Sequence, residues 1–131
     1  MKGIINSLEI IKTDKAPKAI GPYSQGIKCS NFVFTSGQIP LNPDTGELVF
    51  GDFTLEVLQV LNNLEAVLIA SGSSIDKIVK LTVFLTDLSN FQDLNQIFSN
   101  YFKNNYPARS VLEVSKLPMN ARIEIECVGT L

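Results

Sequence analysis

Ile78-Val79-Lys80-Leu81-Thr82-Val83-Phe84-Leu85 is a run rich in β-branched residues, and its reading as a strand decides the fold. Alternation places Val79, Leu81, Val83 and Leu85 on one face and Ile78, Thr82 and Phe84 on the other. Both faces are apolar, as in a strand covered on both sides. Upstream, Phe53 to Ala70 carries Val57, Leu61, Leu64 and Leu68 at helical spacing, with Val60, Val67 and Ile69 widening the stripe. Asp52 or Thr54 suits its N-terminus and Gly72 its C-terminus. Downstream, Ser89-Asn90-Phe91-Gln92 fits a capping box and opens a second helix. The apolar stripe of that helix is Phe91, Leu94, Phe98, Tyr101 and Phe102, and Pro107 closes it.

Further out, Leu8–Thr13 reads as a first strand, and Ala16-Pro17 through Gly21-Pro22-Tyr23 as an irregular loop. Gly26–Cys29 and Phe32–Ser36 flank Ser30-Asn31 as a hairpin with a two-residue turn. Gly37-Gln38-Ile39-Pro40 leaves the strand, and Asn42-Pro43-Asp44-Thr45-Gly46 is a turn. Arg109–Val114 and Arg122–Thr130 are the last strands, separated by a turn at Leu117-Pro118. The order β-β-β-α-β-α-β-β predicts a single α+β domain over residues 1–131: a six-stranded mixed sheet with two helices on one face. Two helices cover only one face of such a sheet. The other needs a cover the chain does not supply, and a symmetric oligomer is the simplest source.

The composition agrees with one globular domain: 131 residues, 45 % hydrophobic and 18 % charged. A mean hydropathy of +0.18 leaves apolar surface to face another subunit. The net charge of −2, with scattered lysines, speaks against nucleic acid as a partner. The apolar runs fall short of the ~20 residues of a membrane span. Met1–Ser7 has no apolar leader core, so a cytoplasmic location is expected. There is no histidine, which removes Ser-His and Cys-His nucleophile pairs, a histidine base and most catalytic zinc sites. The two cysteines, Cys29 and Cys127, have no metal-ligand spacing, and reduced thiols are favoured over one long-range disulfide. Carboxylates, guanidinium groups, hydroxyls, amides and water remain for chemistry.

A few residues break the local pattern. Asn95 lies among the apolar positions of the second helix, either as a flank residue bonded to a loop or as a site residue. Arg109 opens a strand directly after Pro107-Ala108, either as an exposed edge arginine or as a fork for a carboxylate. Glu124 and Glu126 share the face opposite Ile123 and Ile125. On a solvated face they would be ordinary; on a covered one, desolvation would lift a carboxyl pKa toward acid–base range. Tyr23 and Ser36 are weaker candidates on their own.

Gly21-Pro22-Tyr23-Ser24-Gln25-Gly26, Thr35-Ser36-Gly37-Gln38-Ile39-Pro40, Pro107-Ala108-Arg109-Ser110 and Ile123-Glu124-Ile125-Glu126, in this order and spacing, closely resemble the Rid family of YjgF-type reactive-intermediate deaminases. The likeness runs from about Asp14 to Leu131. It implies a chorismate-mutase-like fold and a homotrimer whose sheets pack into a central barrel, with active sites in clefts between subunits. It implies 2-iminobutanoate/2-iminopropanoate deaminase activity, with no cofactor and no metal. The substrates would be 2-imino acids released by dehydratases that use pyridoxal phosphate. Carried over by motif, Arg109 would bind the substrate carboxylate and Glu124 would position or activate water. Tyr23, Ser36 and Asn95 would line the cleft, with Gly37 and Val111 contributing backbone. Many members carry cysteine where this chain has Val111, so roles tied to that thiol are not expected. The alternatives are a non-catalytic regulator that binds small carboxylates, and an RNA-directed endoribonuclease or translation inhibitor.

Overall fold

The computed structural model describes residues 8–131, so the reading of Met1–Ser7 lies outside the described residues. Those residues form six strands, β1 (Glu9–Ile11), β2 (Gly26–Cys29), β3 (Phe32–Thr35), β4 (Ile78–Leu85), β5 (Ala108–Glu113) and β6 (Ile123–Thr130). Two α-helices, α1 (Phe53–Ala70) and α2 (Phe91–Tyr101), join them. The sheet order is β1-β2-β3-β6-β4-β5. All neighbours are antiparallel except β4 and β5. A parallel pair cannot be closed by a tight turn, and α2 supplies the crossover between them.

The periodicity of the sequence becomes the core. Leu81, Val83 and Leu85 of β4, Ile123 and Ile125 of β6, and Val33 of β3 meet Val57, Leu61, Leu64 and Leu68 of α1. Leu94, Ile97 and Phe98 of α2 close the same cluster. Burying each such side chain contributes about 1.5–3 kcal/mol before entropy is subtracted. By length and hydropathy α1 would also pass for a membrane span, but its apolar stripe is packed against the sheet. Asp52 caps α1 by accepting from the Leu55 amide at 3.2 Å. Gly72, at φ 90°, turns the chain away from its far end, a conformation that favours glycine.

Several local expectations are corrected. Val79 is exposed and Ile78 buried, the reverse of simple alternation. A bulge between Ile78 and Lys80 puts one unpaired residue in β4 and flips the faces on either side of it. The capping box at Ser89 does not form: Asp87 accepts from the Ser89 amide at 2.9 Å and caps a 3₁₀ turn, Leu88–Asn90, that runs into α2. In α2, Ile97 is buried while Phe91 is exposed. β1 is shorter than the expected Leu8–Thr13, and β6 starts at Ile123 rather than Arg122. Both cysteines are free, and burial pushes the Cys127 thiol up to about 11.

The sheet face away from the helices carries Phe32 and Phe34, both well exposed, together with Leu112. Among the described residues it has no cover, as the pattern of strands predicts.

Candidate active site

On that open face a cavity of about 450 Å³ gathers Tyr23, Ser36, Gly37 and Glu124. Glu124 arrives there because β6 alternates: Ile123 and Ile125 enter the core, and Glu124 pairs across with Phe84 on the open side. Gln38 exchanges both backbone bonds with Ile125, at 2.8 and 3.1 Å, which lays the Gly37 backbone against the Glu124 side chain. A Cβ on Gly37 would collide with Oε2 of Glu124 and lie 2.8 Å from its Cδ, so glycine is what lets the carboxylate rest there. The Ser36 hydroxyl donates to the Ser24 carbonyl at 2.5 Å and the Ser36 amide to the Gln25 carbonyl at 2.9 Å. Those bonds fix the stretch that follows Tyr23, which lines the same cavity as the carboxylate.

Glu124 is half-buried and, among the described residues, has no ion-pair partner. Burial raises its pKa above the ordinary carboxylate value, and the charge of Glu126 adds to the rise. Glu126 also lines the cavity but is exposed. A half-desolvated carboxylate beside a hydroxyl, a phenol and close backbone can accept a proton from water and hold that water in place.

Arg109 is elsewhere. β5 pairs with β4 in the register Leu81↔Arg109, so Arg109 leaves the sheet on the helix side, as the buried Leu81 does. There it lines a cavity of about 310 Å³ with Asn95, Phe98 and Tyr106. Its Cζ stands over the rings of Phe91 and Phe98, 5.5 and 5.6 Å from their centroids. Val111 packs against the core behind that cavity. The expected residues therefore fall into two groups. Tyr23, Ser36, Gly37 and Glu124 share the open face; Arg109 and Asn95 share the helix face, with Val111 beside them. One chain does not bring Arg109 and Glu124 together.

Some supporting residues escaped the sequence reading. Gln25 is buried, and its side-chain amide accepts from the Thr13 amide at 2.7 Å and donates to the Pro17 carbonyl at 2.8 Å, clamping the loop that leads to Tyr23. Asn63, buried in α1, donates to the Ile39 and Leu41 carbonyls at 3.2 and 2.9 Å and braces the loop after Gly37. The signal for Asn63 was present: an amide on the apolar side of a helix. Among the described residues no group of His, Cys, Asp or Glu could hold a metal ion.

Residues 13–131 match the family described as Endoribonuclease L-PSP. A RutC family protein of Pyrococcus abyssi is 48 % identical over 121 residues, covering 92 % of this chain and 95 % of the relative. The human 2-iminobutanoate/2-iminopropanoate deaminase is 44 % identical over 120 residues, covering 92 % of this chain and 88 % of the relative. A crystal structure of a conserved Rid-family protein from Yersinia pestis superposes with a TM-score of 0.93 at 48 % identity, covering 95 % of this chain and 100 % of the other.

Proposed function

The chain belongs to the Endoribonuclease L-PSP family, whose members include the Rid and RutC proteins, and from that premise we propose that it hydrolyses reactive 2-imino acids to 2-oxo acids and ammonia. The observation that carries this reading is Glu124, a half-buried carboxylate with a raised pKa, laid against the Gly37 backbone in a cavity with Tyr23 and Ser36. The human relative's name supports the substrate class.

In the proposed reaction Arg109 takes the substrate carboxylate in its planar fork. Glu124 orients a water and accepts its proton as the oxygen bonds to the imine carbon. The imine nitrogen takes a proton to give a carbinolamine; the hydroxyl proton then passes by way of Glu124 to that nitrogen, the C–N bond breaks as the C=O forms, and ammonia leaves the 2-oxo acid. The imine already hydrolyses in water, so positioning alone gives a useful gain. Because Arg109 and Glu124 lie on opposite faces of one sheet, the proposed site joins Arg109 of one copy to the Glu124 cavity of a second. The exposed Phe32, Phe34 and Leu112 supply apolar surface for that association, which we place in a homotrimer.

The family description names an endoribonuclease. A net charge of −2 and the paired carboxylates of Glu124 and Glu126 favour a small imine over a polyphosphate chain. The test is a coupled assay: a threonine dehydratase releases 2-iminobutanoate, and 2-oxobutanoate formation is followed with and without the protein. Acceleration proportional to added protein supports the reading; an unchanged rate defeats it.

A further inference from the structure

Of the chain's two arginines, Arg122 is engaged by Glu56, and Arg109 forms no ion pair among the described residues. Arg109 instead stands over two phenyl rings, Phe91 at 5.5 Å and Phe98 at 5.6 Å. Phe91, Asn95 and Phe98 fall at i, i+4 and i+7 of α2, one stripe of the helix facing the guanidinium. Phe98 has a second reason to be there, since it belongs to the buried core. Phe91 has not: it is 38 % exposed in the first turn of α2 and stands outside the core cluster.

We infer that Phe91 and Phe98 are positioning residues that hold the Arg109 guanidinium ready for a carboxylate. A ring face attracts a cation through its quadrupole but does not occupy N–H donors as a carboxylate would. The arginine is thus confined and partly dehydrated while its donors stay available to an incoming anion. Guanidinium, weakly hydrated and planar, suits this arrangement better than a compact, strongly hydrated ammonium. Asn95, between the two rings along the stripe, places an amide at the same cavity. This inference rests on the reading of Arg109 as the carboxylate anchor.

The experiment titrates the full chain calorimetrically with 2-oxobutanoate and with 2-oxobutanamide, which lacks the carboxylate. Phe91→Leu should weaken 2-oxobutanoate binding by about two- to fivefold, the size of one half-exposed cation–π contact, and leave the amide unaffected. Phe91→Tyr, which keeps the ring, should bind both probes as the unmodified chain does. A Leu variant that binds 2-oxobutanoate normally, or weakens on both probes alike, overturns the inference. Arg109→Ala separates the two levels of the argument. If it abolishes the preference for the acid over the amide while Phe91→Leu changes nothing, the ring role alone fails. If Arg109→Ala leaves that preference intact, the anchor reading fails and the ring role with it.

Discussion

Arg109 and Glu124 project from opposite faces of the same sheet. Arg109 pairs with Leu81 and joins the helix side, while Glu124 pairs with Phe84 and joins the open side. Between β5 and β6 lies the whole of β4. No side-chain rotation brings the two functional groups to one small substrate within a single copy. Arg109 does, however, sit on an edge strand, where a neighbouring molecule can approach. A reaction that uses both residues therefore requires assembly.

The first prediction is the assembly itself. Sedimentation equilibrium should give about three times the 14.4 kDa chain mass. Phe34→Glu puts a charge on the exposed apolar face and should shift the protein toward monomer. A wild-type chain that sediments as a monomer at micromolar concentration removes the shared site.

Arg109→Lys keeps the charge and loses the planar fork. Losing a charge-assisted hydrogen bond costs about 1.5–3 kcal/mol, or about ten- to a hundredfold in kcat/KM. The fold should survive, because Arg109 has no ion-pair partner to abandon among the described residues. Deamination at the wild-type rate would remove Arg109 as the anchor.

Glu124→Gln should abolish deamination, while Glu126→Gln, at an exposed position, should retain most of it. The pKa of Glu124 is raised by burial and by Glu126, so the rate should rise with pH through a limb above the ordinary carboxylate range. The same shift has a stability sign. Between the unfolded and folded pKa values the folded chain holds the extra proton, so stability falls as pH rises through that window. Glu124→Gln removes this loss: it should melt above wild type at neutral pH, with the gap closing in acid below pH ~4. Equal melting temperatures at neutral pH would contradict the desolvated carboxylate.

Glu56 is fully buried, and it accepts from Arg122 at 3.0 Å (Nε) and 2.6 Å (Nη2), and from the Gly51 amide at 2.9 Å. Arg122→Leu would strand that carboxylate. Urea unfolding should show a loss of about 3 kcal/mol, toward the lower end of the range because Arg122 itself reaches solvent. The double change Arg122→Leu with Glu56→Leu should recover part of it.

Much of this was legible in the chain because hydrophobic period reports burial. α1 and β4 were delimited to the residue by their stripes, and the alternation Ile123-Glu124-Ile125-Glu126 fixed which face Glu124 takes. Val79 was misread because a bulge leaves no mark in composition, and alternation reverses across it. Phe91 was misread because an aromatic at helical spacing looks like core, and only the position of Arg109 shows what else the ring contacts. The separation of Arg109 from Glu124 depends on register: Arg109 aligns with a core residue of β4, and nothing within the segment Ala108–Glu113 specifies that partner.

The central claim is a site shared between copies, and subunit complementation tests it most directly. Arg109→Ala and Glu124→Gln chains are each purified alone, and then co-expressed with different tags so that mixed assemblies can be isolated. Each alone should be inactive in the dehydratase-coupled assay. In every mixed trimer, whether two-to-one or one-to-two, one of the three clefts pairs an intact Arg109 with an intact Glu124 from the neighbouring copy, so activity should return to about a third of wild type. Mixed assemblies that remain as inactive as their parents would contradict the shared site.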